Sequence, residues 1–228
     1  MYNVGKYVGA MLESCFAQTY KNLEVCLFND GSTDDSVRVV RQRASTGGRI
    51  YISDWEHRGV NRAFNQAFLM ARGDIIARLD ADDTMHPTRL EKQVALIEAG
   101  ADIVTCEMNR MDEDGSNLRP KPVGPMDPEA YLSGRSPHAP IDATIVCRRE
   151  VYEQVGLWNP AYPWAAVDEW IIRALDFGFK WAHVPEFLYN YRTRPGQTVK
   201  QSKGRSEATY QWLIERAKAW KQRPASQS

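Results

Sequence analysis

The chain has 228 residues, 43% hydrophobic and 25% charged, which suits one domain, or one with an appendage, and excludes a disordered chain, a collagen-like fibre or a membrane bundle. Twenty-nine Lys plus Arg balance twenty-nine Asp plus Glu, so no global field marks a nucleic-acid binder. The balance is uneven, because Arg192 to Ser228 carries nine basic residues against two acidic ones and leaves the body acidic. Four cysteines, Cys15, Cys26, Cys106 and Cys147, stand far apart without a CxxC pair, three of them in apolar runs. A reduced, cytoplasmic location is the expectation. No apolar stretch approaches the roughly 18 residues of a membrane span, and no apolar signal-peptide core is read at the start, so any membrane contact is expected to be peripheral.

In chain order, Val8, Met11, Leu12, Cys15 and Phe16 recur at helical spacing and predict an amphipathic helix from about Lys6 to Gln18. Leu23 to Phe28 predicts a strand ending in Asn29-Asp30-Gly31-Ser32-Thr33-Asp34, and a helix from Ser36 to Arg43 starts under those capping residues. Ile50 to Ser53 reads as a strand, then Val60, Ala63, Phe64, Ala67, Phe68 and Ala71 make a helical stripe closed by Gly73. Asp74 to Leu79 is the next predicted strand. It runs into Asp80-Ala81-Asp82-Asp83, followed by a helix opened by Pro87 with Leu90, Val94 and Ile97 on one face. Ile103 to Met108 follows as a strand. This alternation predicts an α/β fold with a mostly parallel sheet covered by helices, whose ligands bind at the carboxyl ends of the strands.

From Asp112 to Pro140 the pattern breaks into six prolines, several glycines and mixed charges, with one short helix predicted near Pro128 to Gly134. Ala143 to Cys147 reads as a strand, Arg149 to Val155 and Glu169 to Phe177 as helices, and Trp181 to Val184 and Phe187 to Arg192 as two strands. A last helix carries Tyr210, Leu213, Ile214, Ala217 and Trp220 on one stripe, with basic residues beside it. The expected division is a domain over residues 1–200 and a basic C-terminal helix and tail over 201–228.

Three carboxylates within four positions, Asp80, Asp82 and Asp83, at the end of a buried strand repel one another unless protons or a cation intervene. Mg2+ or Mn2+ suits such a loop, because these ions take one or two carboxylates together with phosphate oxygens of a substrate. A solvated turn rich in Asp is the plainer reading of the same residues. Asp30 also falls at the carboxyl end of a predicted strand and faces the same crevice. One acidic loop for a nucleoside and one for a metal and diphosphate describe a nucleotide-sugar site.

In this context the sequence resembles the inverting glycosyltransferases of family 2, which have the GT-A fold. Tyr2-Asn3 and Gln18 to Val25 look like that family's opening after its first strand, and Asn29 to Asp34 is similar to its nucleoside loop. Arg58-Gly59-Val60-Asn61-Arg62-Ala63-Phe64-Asn65 resembles its donor-side helix, and Ala71 to Asp74 through Leu79 to Asp83 its metal loop. Arg148 to Val151, Val155 to Trp158, Gly178 and Tyr191-Arg192 continue the likeness from Tyr2 to about Thr198. The resemblance implies transfer of a sugar from a nucleotide-diphosphate donor, UDP-linked by expectation, to a hydroxyl of a glycan or lipid-linked acceptor, with inversion. It also implies that Asp30 contacts the base, that Tyr2 lies against it, and that Arg58, Asn65, Asp80 and Asp82 line the donor. Asp82 and Asp83 would hold Mn2+ or Mg2+. The family's acidic base at the start of a late helix corresponds to Asp168-Glu169, with Asp168 favoured although relatives place it one residue further from the arginine matching Arg173. A helix cap at Asp168 explains the same residue without catalysis.

The sequence departs from that pattern in two ways. The family's central first strand is missing before Tyr2, so a gap is expected between the strands of Leu23 to Phe28 and Asp74 to Leu79; the chain then starts elsewhere or is a piece of a longer one. Arg194 stands where many relatives have a metal-site His; it would grip the diphosphate, or merely head the basic tail. His57, His86, His138 and His183 form no ligand-spaced cluster and are assigned to no metal. The tail stripe fits peripheral membrane contact or packing on its own domain, and Trp164 and Trp170 fit acceptor stacking or core. Two rivals remain: a phosphohydrolase of the haloacid dehalogenase type, since Asp80 to Thr84 satisfies DxDxT, and a donor-binding module without turnover.

Overall fold

Val8, Met11, Leu12 and Cys15 return every three to four residues, and the helix they form, α1 (Val8–Phe16), buries all four. The structure is a computed structural model that describes residues 1–132, 142–162, 166–195 and 215. Gln18, fully buried beyond α1, donates to the Ser14 and His86 carbonyls and accepts the Leu90 N–H. It thereby staples the end of α1 to the chain leading into a later helix.

β1 (Val25–Asp30) and β2 (Ile50–Trp55) pair in parallel, Val25 opposite Ile50 and Asp30 opposite Trp55, with α2 (Ser36–Ser45) as the crossover. Then come α3 (Val60–Met70), β3 (Ile75–Ala77), β4 (Thr84–Met85), α4 (Arg89–Glu98) and β5 (Ile103–Met111). The second half holds β6 (Arg119–Lys121), α5 (Pro128–Leu132), a 3-10 turn (Asp142–Thr144), β7 (Val146–Arg148), α6 (Arg149–Val155), α7 (Ala166–Asp176) and β8 (Trp181–Arg192). Strands β3-β7-β5-β8-β4 form one sheet in that order, with β6 added to β5.

The helix-covered α/β architecture is as expected, but the pairing is more mixed than a mostly parallel sheet. β1–β2 and β5–β8 are parallel, whereas β3–β7, β5–β7, β4–β8 and β5–β6 are antiparallel. Parallel neighbours need a crossover connection, as α2 supplies between β1 and β2; β7 is reached through the long proline-rich connection, which leaves its direction free. The two strands expected around Val184 and Phe187 are one bent strand. Register against β5 shifts where Pro185 and Glu186 intervene, since Cys106 faces Val184 and Glu107 faces Phe187.

Between β1 and β3 the sheet is interrupted, at the expected gap: among the described residues β1 pairs only with β2, and β3 only with β7. Met1 alone stands beside β1. Its amino group donates to the Phe28 carbonyl (2.6 Å) and its carbonyl accepts the Asp30 N–H (2.9 Å), a single rung of a parallel ladder.

Alternation along the strands sends Val104 and Val146 into one core cluster with α1 and α4, and Ile103 and Cys147 into a second with α3, α6 and α7. Each large apolar side chain so buried contributes about 1.5–3 kcal/mol. The four cysteines are free, and Cys15, Cys106 and Cys147 are buried. Burial pushes the Cys15 and Cys106 thiols up to about 12 and about 11. No helix among the described residues is long and apolar enough to cross a membrane. The C-terminal helix and tail lie outside the described residues, Glu215 excepted.

Under the sheet runs a buried polar cross-brace. Arg89, fully buried, donates to Gln93 and to the Arg78 and Ala143 carbonyls, and Gln93 donates to the Val104 and Thr144 carbonyls, both at 2.9 Å. Gln93→Leu leaves two carbonyls and one guanidinium N–H without partners. A loss of about 2–5 kcal/mol is expected in urea unfolding; a change below about 0.5 kcal/mol would refute the brace.

Candidate active site

β1 ends in Asn29-Asp30-Gly31, where the chain must turn without covering the strand end. Gly31 has φ +75°, and a Cβ there would come within 2.8 Å of the His57 nitrogen, so the loop lies flat against the residues before α3. Asp30 is 2% exposed. Its carboxylate accepts the N–H groups of Arg58 (2.7 Å) and Gly59 (3.0 Å), and His57 Nδ1 lies 2.9 Å from Oδ2. These amides belong to the open N-terminus of α3, which needs such acceptors. Tyr2, 44% exposed, stacks on His57 with ring centroids 4.1 Å apart. Arg58 lies over Trp55 and reaches toward Glu56. An exposed aromatic and cationic platform thus sits above a buried carboxylate.

β3 leads into the second acidic loop, whose three carboxylates have different surroundings. Asp83 points inward. It is 1% exposed, accepts Tyr189 O–H (2.5 Å) and Arg192 N–H (2.7 Å), and is raised well above the usual range by burial, then by Asp80 and Asp82. Both of its oxygens help to hold the loop to β8, a bracing role beside the metal role that the family resemblance implies. Asp82 accepts Arg194 Nε–H at 2.6 Å and is also raised, mainly by burial and then by Asp80, with Arg194 acting the other way. Asp80 is the most exposed of the three, its side chain at 36%, and pairs with Arg78 at 2.8 Å. Arg194 stacks over Tyr7 and is 19% exposed, so it is no solvated head of a tail.

The two acidic loops meet. The buried Met1 amino group feels the charges of Asp30, Asp80 and Asp82, which oppose the lowering of its pKa by burial. Charges from both acidic loops thus reach one group, the Met1 amine beside β1.

Across Arg78 stands Asp142, 2.9 Å from it, raised to about 6 by burial, with Arg78 lowering it and Asp80 and Asp168 raising it further. Asp168, in the first turn of α7, is 8% exposed and accepts Tyr131 O–H at 3.0 Å. Glu169 is gripped by Arg173 at 2.7 and 2.8 Å, and Arg173 also donates to the Val155 and Leu157 carbonyls. Of the two candidate bases, Asp168 acts on the charge of Asp142, whereas Glu169 is engaged by Arg173. Asn65, expected at the donor, instead spends both ends of its carboxamide on the Trp158 backbone (2.8 and 3.1 Å). Trp170 is core, 1% exposed and stacked on Tyr152; Trp164 lies outside the described residues. Sequence reasoning missed His57, Arg78 and Asp142. Arg78 carried one signal, a charged residue two positions before Asp80 on a strand whose neighbours are apolar.

Residues 1–156 match the model of the family described as "Glycosyl transferase family 2". The chain belongs to this family. It is 31% identical over 200 residues to the putative glycosyltransferase EpsE of Bacillus subtilis (strain 168), covering 84% of this chain and 70% of that protein. It is 37% identical over 90 residues to a chondroitin synthase of Escherichia coli, covering 40% of this chain and only 13% of the synthase. The structure of S. aureus TarS 1-349 in complex with UDP-GlcNAc matches with TM-score 0.69 at 18% identity, covering 88% of this chain and 58% of TarS. The mannosyltransferase PcManGT from Pyrobaculum calidifontis, in complex with GDP-Man and Mn2+, matches with TM-score 0.66 at 16% identity, covering 96% and 71%. This family 2 chain therefore has the GT-A fold, which sets aside the dehalogenase-type phosphohydrolase.

The surroundings of Asp82 and Asp83 predict a separable outcome. Asp83→Ala leaves a buried hydroxyl and amide unpaired, a loss of about 1–3 kcal/mol, so the melting temperature should fall by about 3–10 °C. Asp82→Ala should move it by less than about 2 °C. Equal falls in both variants would reject the bracing role of Asp83.

Proposed function

We propose that the chain transfers a sugar, with inversion, from a nucleotide-diphosphate donor to a hydroxyl acceptor in glycan or polysaccharide synthesis. The observation that carries this reading is a pair of acidic strand-end loops in a family 2 chain, Asp30 at the end of β1 beside the stacked Tyr2 and His57 rings, and Asp80 and Asp82 after β3, whose charges all act on the Met1 amine. The heterocycle stacks on Tyr2 and His57. A carboxylate offers about four acceptor sites, and Asp30 has one left for a base N–H after its bonds to residues 57–59. Arg58 stands at the rim, and Asn65 serves the donor only at a distance, through Trp158. UDP is the favoured nucleotide, as in the TarS complex, with GDP as the alternative.

The donor set fits a hard divalent cation. Among the described residues no group of three or more His, Cys, Asp or Glu forms a cage, and Mn2+ or Mg2+ needs only one or two carboxylates when diphosphate oxygens complete its shell. Asp82 is the principal protein ligand in this reading, Asp80 stands beside it, and Asp83 braces the loop. Such an ion, when bound, neutralises the charge that develops on a leaving nucleoside diphosphate. Arg194, already on Asp82, contributes positive charge at the same place. Asp168 takes the proton from the acceptor hydroxyl as that oxygen attacks the anomeric carbon and the nucleoside diphosphate leaves. A donor-binding module without turnover is the second reading, favoured by Arg194 occupying Asp82.

A thermal-shift panel of UDP- and GDP-sugars with and without Mn2+ tests the first step. Stabilisation requiring both components, and lost in Asp82→Ala, is the expected result. Asp168→Asn should keep that stabilisation and lower transfer roughly 100-fold or more, while the wild type gives product of inverted anomeric configuration by NMR. Binding without transfer to any glycan or lipid-linked acceptor would leave only the second reading, and indifference of the melting temperature to every nucleotide sugar would reject both.

A further inference from the structure

Arg78 joins the loop after β3 to the turn that begins at Asp142. Its guanidinium pairs with Asp80 at 2.8 Å on one side and with Asp142 at 2.9 Å on the other, and its side chain is 10% exposed. The Trp158 and Phe64 rings lie 5.1 and 5.9 Å from it and stack on each other at 4.0 Å. Trp158 is in turn held through its backbone by Asn65. A planar guanidinium resting on aromatic rings can rotate little, so its edge is aimed. Burial works against its charge, and Asp142 and Asp80 outweigh that. Unlike Arg89, which donates to backbone carbonyls inside the core, Arg78 spends its charged edge on two carboxylates of the crevice.

We propose that Arg78 and Asp142 are a positioning pair: Arg78 clamps the Asp80 carboxylate in its donor-facing orientation, and Asp142 holds Arg78 in line. The pair ties the loop that binds the donor to the side of the crevice where Asp168 stands. Asp142 acts through Arg78 and needs no contact with the donor. The inference rests on the transferase reading for its purpose, and on geometry alone for its existence. It also gives Asn65 a place in the arrangement without lining the crevice, since Asn65 holds the Trp158 backbone and the Trp158 ring lies against Arg78.

Binding of UDP and of GDP, each with Mn2+, to the purified chain by calorimetry gives the test, with melting temperatures as a control for folding. Arg78→Lys keeps the charge but has one ammonium in place of a two-sided fork, and should weaken binding roughly tenfold. Asp142→Asn should weaken it by roughly threefold, with Asp142→Glu restoring it to within about twofold. The double variant R78K/D142N should bind no worse than Arg78→Lys alone, because the second change acts through the first; additive losses would overturn the pair. A crystal structure of Arg78→Lys supplies a readout without ligand. The Asp80 carboxylate should leave its position there, and an unmoved Asp80 would overturn the clamp. If the wild type binds neither nucleotide, the transferase reading fails, while the crystal structure still decides on the pair.

Discussion

Too many carboxylates share too little space at the carboxyl ends of β1 and β3, and the rest of the site follows from how each is neutralised. Asp30 is met by the amides that open α3, Asp83 by Tyr189 and the Arg192 amide, Asp80 and Asp142 by Arg78, Asp82 by Arg194. Uncompensated, like charges at such distances would drive one another to protonate. The strands that carry them could not then keep the loops open to solvent and to an anionic ligand. The charge balance also divides the carboxylates: Asp30 and Asp83 are met by backbone amides, with His57 and Tyr189 beside them, whereas Asp80 and Asp82 are met by arginine side chains.

Fixed backbone partners cannot be given up without breaking an element. Asp83 and Asp30 each accept backbone N–H groups, and both are nearly fully buried. Removing either leaves main-chain donors without acceptors, so their contribution is to the position of the two loops. Asp80 and Asp82 face only guanidinium groups and keep the greater access. A diphosphate with a hard cation brings both charges that this pair of loops can bind, the anion for Arg194 and the cation for the carboxylates.

The elements were legible wherever a helix face repeats. Val8 to Cys15, Val60 to Phe68 and Arg149 to Val155 fall as their apolar spacing predicts, because burial of one stripe dictates both helix and orientation. Strand direction was not legible, since an apolar run of three residues such as Ile75–Ala77 carries no sign of which neighbour it meets or in which sense. Of the site, the acidic loops could be named from position and motif. Which carboxylate works and which braces could not, because that depends on Tyr189, Arg192 and Arg173, residues up to about a hundred positions away or hidden inside a helix stripe. Asp142 was invisible for a related reason: alone in a loop after a proline, it becomes significant only once β3 brings Arg78 to it.

The interruption between β1 and β3 bears on how rigid this site can be. Both strands deliver an acidic loop, yet no described strand joins them, and the link across the gap consists of side chains and the Met1 rung. At the near end Glu24 accepts the Arg72 and Gly73 amides; at the far end Met1 stands among Asp30, Asp80 and Asp82. A ligand that spans nucleoside and diphosphate would bridge the same two strand ends and so replace, by contacts through itself, part of the coupling that a ladder of hydrogen bonds would provide. On the proposed transferase reading, part of such a ligand's contact energy would go into ordering the two loops together. The Arg78–Asp142 pair limits that cost on one side by fixing Asp80 before any ligand arrives. On the other side the Tyr2–His57 platform does the same for the base, which leaves the distance between the two loops as the coordinate that the ligand must set.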